Sequence, residues 1–171
     1  MPHSLIKYDT LFNRLIINEM KNIDCIDPDK ILDNIFKEVN PGELTEDFNS
    51  FCIAALSEKY AWKEGNPGNL LYLSELLEQT LEASFLIYHK RAKDDNNVAG
   101  LIVQDQCFEA LNILFTGISL LEWKIALHHW TMAGLSDHSV IENVSPSDIL
   151  PFVRGVEKLI ETAYQITQVR I

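Results

Sequence analysis

The stretch of sequence that decides the fold spans residues 98–133 and reads VAGLIVQDQCFEALNILFTGISLLEWKIALHHWTMA. Polar side chains recur along it at steps of four, three, four and three, which is the spacing of one helical face: Asp105, Glu109, Asn112, Thr116 and Ser119. Almost all the other side chains are apolar, whereas a surface helix carries a much broader polar face. The pattern predicts one long central helix, bent near Thr116-Gly117, that other helices or a second subunit cover on most sides.

Sequence patterns typical of helix starts and ends also occur throughout the rest of the chain, while patterns typical of strands are nearly absent. A second long helix is predicted over Asn69–Lys93. The other predicted helices begin at a capping residue or at a proline in the first helical position: Ser4, Asp27-Pro28, Thr45 and Ser145. Two Asn-Pro-Gly sequences, at 40–42 and 66–68, are predicted to be breaks. We therefore expect an all-α, single-domain helical bundle over residues 1–171, with about six helices, of which two are long and central.

The composition is that of an acidic globular chain. Its 171 residues carry 14 Lys and Arg against 25 Asp and Glu, which gives a formal charge of −11, and 47% of them are hydrophobic. A chain of this length buries roughly two thirds of the surface it exposes when unfolded, which is enough for a core. Because binding to nucleic-acid phosphates depends on clusters of Lys and Arg, this charge argues against a nucleic-acid partner.

Compartment signals point to the cytoplasm. The start of the chain lacks a secretory pattern, and the longest uncharged run in its middle, 110–121, is shorter than the roughly 20 residues of a membrane span. The three cysteines, Cys25, Cys52 and Cys107, lie far apart and form no CxxC pair. We expect a cytoplasmic protein with reduced thiols, no membrane association and no metal site, and the sequence favours no particular cofactor.

Two interpretations of the polar stripe on residues 98–133 remain open. In the first, the stripe is the one solvent-facing edge of a mostly covered helix. In the second, it lines an internal pocket, where Asp105 and Glu109 at positions i and i+4 act together as ligands or as an acid/base pair. Two carboxyl groups so close together in a dry site shift one pKa upward, which suits acid/base work.

The densest group of histidines follows on the same stretch. His128 and His129 are adjacent, so on a regular helix they diverge by about 100° and are poorly placed to bind one ion together. One of them is expected in the core and the other in solvent, while His138 lies beside Asp137 in the next loop. The candidate ligand-binding residues are therefore Asp105, Glu109, His128, His129 and His138, with none assigned as catalytic.

A second stripe, on the predicted helix 69–93, carries Glu75, Glu78, Glu82 and His89. Such a set suits a divalent metal, but a stripe that continues into Lys93 is also typical of a solvated face, and we favour the solvated face. No histidine in the chain has a glutamate three residues before it, so the Glu-x-x-His pattern of ferritin-like bundles is absent.

Catalytic and nucleotide-binding motifs are missing from the sequence. It has no GxGxxG, GxxxxGK[ST], GxSxG, HExxH or EF-hand loop. We therefore expect a non-enzymatic helical interaction or regulatory protein, forming a homo-oligomer and binding a protein partner, for which the acidity favours a basic one. The alternative is a helical bundle that binds a small molecule or a metal, and so could be an enzyme, through Asp105, Glu109 and a nearby His.

Overall fold

The computed structural model describes residues 27–57, 66–94 and 102–169. Six α-helices occupy these ranges: α1 (Pro28–Glu38), α2 (Pro41–Leu56), α3 (Pro67–Asp94), α4 (Ile102–Thr116), α5 (Leu120–Gly134) and α6 (Pro146–Gln168). A 3₁₀ turn, Val140–Glu142, joins the last two, and no strand occurs within the described ranges. The predicted all-α helical bundle is confirmed. The helix predicted from Ser4 lies outside the described residues.

The two Asn-Pro-Gly sequences lie at helix boundaries, as predicted, and each begins the next helix at its proline, earlier than predicted. Asn40 precedes α2 and Asn66 precedes α3, and in both the side-chain Oδ1 accepts a hydrogen bond of 2.8 Å from the glycine N–H two residues later. The proline of each Asn-Pro-Gly sequence is the first residue of its helix. A backbone N–H at that position would have no hydrogen-bond partner within the helix, so proline is tolerated there. For this reason α2 begins at Pro41 rather than at Thr45.

The bend predicted near Thr116-Gly117 is confirmed, but the helix is interrupted there: α4 ends at Thr116, and α5 begins at Leu120 and runs at 77° to α4. A capping box starts α5: the Ser119 Oγ accepts from the Glu122 N–H at 3.3 Å, and the Glu122 carboxylate accepts from the Ser119 N–H at 2.7 Å. The indole N–H of Trp123 donates to the carbonyl of Leu114, 3.0 Å away, which is one of the carbonyls that the end of α4 leaves free. The cap and the indole together fix the bend.

The two long helices at the centre of the bundle are α3 and α6. α3 packs against each of the other five helices, and α6 packs against α1, α2, α3 and α4. The helix predicted over residues 98–133 divides into two elements of 15 residues each. The second long central helix is therefore α6, with 23 residues.

Aromatic rings fill the space between α2, α5 and α6. Phe152 stacks on Trp130 at a centroid distance of 4.6 Å and lies 6.1 Å from Trp123 and 6.4 Å from Phe48. A Cβ atom at Gly155 would overlap the six-membered ring of Trp123. The absence of a side chain at Gly155 thus leaves room for the ring of Trp123 between α5 and α6.

Candidate functional site

A row of polar side chains lies in the interface between α3 and α5. Ser74 Oγ and Thr131 Oγ1 are 2.7 Å apart, and eight residues further along α3 Glu82 bonds the Nζ of Lys124. Because the numbers rise on α3 while they fall on α5, the two helices are antiparallel. We call this row the polar seam: Ser74, Glu78 and Glu82 on α3, with Lys124, His128 and Thr131 on α5.

The centre of the polar seam is a buried ammonium group. The side chain of Lys124 is fully buried, and its Nζ lies 2.9 Å from Glu78 Oε1 and in contact with Glu82. The two carboxylates keep 34% and 20% of their side-chain surface exposed. Burial by itself lowers the pKa of the Lys124 ammonium, but the hydrogen bonds and charges of Glu82 and Glu78 outweigh it and leave the pKa above its ordinary value. Lys124 is therefore held in its charged form.

His128 lies one helical turn after Lys124 and borders the same seam. Its ring is half-buried. Burial, with a smaller contribution from the neighbouring His129, lowers the pKa of His128 below its ordinary value, while the charge of Glu78 acts in the opposite direction. At neutral pH His128 is therefore a neutral imidazole at the edge of a charged cluster.

The polar seam corrects the solvated-face interpretation of the stripe on α3. Glu75 is exposed as that interpretation requires, but Glu78 and Glu82 turn toward Lys124. His89 is half-buried and its ring centroid lies 5.8 Å from that of Phe85. Lys124 was missed because one lysine in an apolar helix gives no periodic signal. A clue was present in the charges: Glu75, Glu78 and Glu82 are the only charged side chains between Glu64 and Lys90.

The predicted stripe on residues 98–133 divides at the break between α4 and α5. Glu109 and Thr116 are exposed, while Asp105 lies in α4 at a position whose side chain is outside the described part. Asn112 is half-buried, and its Oδ1 accepts from the Tyr88 hydroxyl and from Thr116 Oγ1, both at 3.0 Å. The stripe therefore includes a contact with α3 as well as a solvent-facing edge.

The three candidate histidines also lie apart. The ring centroids of His128 and His129 are 6.5 Å apart, with the first ring half-buried and the second exposed. His138 is exposed in the loop after α5, with Nδ1 3.2 Å from Glu142 and Nε2 3.4 Å from Asp137. Over the described ranges no three His, Cys, Asp or Glu side chains could hold a metal ion together. A ligand site built from Asp105, Glu109 and a nearby His stays a prediction.

The two cysteines in the described ranges are free and buried. Burial, assisted by the negative charge of Glu157, raises the pKa of Cys52 to about 12. Burial likewise raises the pKa of Cys107. Both thiols are therefore protonated at neutral pH, and the structure offers neither as a nucleophile.

The solvent side of α5 carries apolar side chains. Leu121, Ile125 and Met132 are exposed to 41%, 37% and 49%, and together with His128 they follow one helical face. We call Leu121, Ile125 and Met132 the outer strip, which His128 of the polar seam borders. The two charged residues of α5 lie off it, because Glu122 belongs to the capping box and Lys124 to the polar seam. In a chain with a net charge of −11, the outer strip is an uncharged surface.

Comparison of the chain with protein-family models, with curated proteins and with solved structures found no match. Within the described residues no single helix is both long and apolar enough to cross a membrane. Gln106–Thr116 and Leu120–Gly134 satisfy that length and composition test only as a pair, bent by 77°. The outer strip and the polar seam are thus the features from which a function can be argued.

Proposed function

We propose that this chain is a non-enzymatic helical interaction or regulatory protein, which works as an oligomer and binds a protein partner through the outer strip. The observation that carries the proposal is the exposure of Leu121, Ile125 and Met132 on one face of α5. When a second protein covers large apolar side chains, it removes them from water, and this is the main driving force of association.

The polar seam supports a structural role for the charged groups rather than a catalytic one. The ammonium of Lys124 is neutralised by Glu78 and Glu82 within the fold. Burying an ammonium without such partners costs several kcal/mol, so these carboxylates are needed where they are. Their engagement holds α5 on α3 in one register and thereby presents the outer strip on a fixed helix.

The net charge supports a basic protein as one partner class. A chain with 25 acidic and 14 basic residues attracts positively charged proteins at separations up to the screening length, which the salt concentration sets. The outer strip contributes nothing to that attraction because it is uncharged, so a basic partner would be steered by the remainder of the surface.

The proposal is tested by the molar mass in solution of three proteins: the wild type, Ile125→Asp and Ile53→Asp. Ile53 is a matched control because it is 67% exposed in α2, with the exposed polar residues Asn49 and Ser50 one turn before it. We expect an oligomer for the wild type and for Ile53→Asp, and a folded chain of 19.5 kDa for Ile125→Asp. An oligomer that tolerates Ile125→Asp unchanged would show that the outer strip is not the interface.

A further inference from the structure

We draw no further inference here: the strongest candidate, the outer strip of exposed apolar side chains on the solvent side of α5, carries nothing beyond the proposed function, because nothing in the structure shows what covers it.

Discussion

At the scale of single residues, the buried charge of Lys124 is the most consequential feature that the sequence hides. Composition and hydropathy assign a lysine to the surface, and most lysines lie there. Whether this one is buried depends on two carboxylates more than 40 residues away along the chain, at Glu78 and Glu82. Helical spacing is analysed within one helix at a time. It therefore reveals the acidic stripe on α3 but not the lysine of α5 that faces this stripe.

Removing the ammonium should destabilise the fold. Lys124→Met fills the same space but leaves Glu78 and Glu82 facing each other without a cation, which we expect to cost about 3 kcal/mol in the free energy of unfolding. The matched control is Lys158→Met, because Lys158 pairs with Glu161 at 2.8 Å while both are about half exposed. An exposed pair contributes about 0–1 kcal/mol. Urea unfolding of both variants measures the difference, and equal losses would contradict the role of the polar seam.

The ring of His128 should make stability depend on mildly acidic pH. Its pKa in the folded chain lies below the ordinary value of 6.5, so the unfolded chain binds the proton more readily. The stability that the neutral ring of His128 contributes is fully present above pH 6.5. It is lost as the pH falls through that value and then through the pKa of His128 in the folded chain. His128→Gln should flatten this part of the stability curve, and a variant that keeps the slope of the wild type would contradict the role of His128. Thermal unfolding between pH 5 and 8 measures the slope.

At the scale of elements, the local signals for helix starts were mostly present and some were misread. Asp27-Pro28 was assigned correctly, and the Asp27 side chain accepts from the N–H groups of Asp29 and Lys30. The two Asn-Pro-Gly sequences mark helix boundaries because proline and glycine are rare inside helices, and because asparagine before proline is also a cap, each next helix begins at the proline. The break before α5 was carried by Ser119-Leu-Leu-Glu122, a capping-box pattern inside an apolar run.

The Ser119 cap should contribute measurably to stability. Ser119→Ala removes the acceptor for the Glu122 N–H, and losses at such positions are typically about 1 kcal/mol. Ser145→Ala is the control, because Ser145 also precedes a helix but its side chain makes no capping hydrogen bond. Chemical unfolding of the two variants gives the comparison. A loss at Ser145 as large as at Ser119 would mean that the capping box does not hold the bend.

The contact of the Trp123 ring with α6 should make Gly155 intolerant of a side chain. Gly155→Ala gains about 1 kcal/mol of helix propensity, but it forces the Trp123 ring to move, and overpacking costs about 1–3 kcal/mol. We expect a net loss of about 1 kcal/mol. Gly117→Ala, at a position with open space around it, should stay within about 0.5 kcal/mol of the wild type. Melting temperatures of both proteins check this, and a stabilised Gly155→Ala would contradict the packing.

At the scale of the whole molecule, the sequence was sufficient for the fold class but not for the arrangement of the surface. Helical spacing and the lack of strand signals predicted the helical bundle, which the structure confirms. Residues 98–133 carry more apolar side chains than one surface helix does. Because α4 and α5 diverge by 77°, that excess is divided between the core and the exposed face of α5.

The net charge predicts how salt acts on the two classes of partner. Two copies with a charge of −11 repel each other, so added salt should screen that repulsion and strengthen the oligomer. A complex with a basic protein should weaken under the same change, because salt screens its attraction. Dissociation constants measured over a range of sodium chloride concentrations distinguish the two, and an oligomer that weakens steadily with salt would contradict an uncharged interface.

The most direct test of the account is sedimentation equilibrium of the wild-type chain over a dilution series. We predict a reversible transition between an oligomer and the single chain of 19.5 kDa, with Ile125→Asp remaining at the single mass throughout. A wild type that sediments as a single chain at every concentration would contradict the assignment of the outer strip as an oligomer interface.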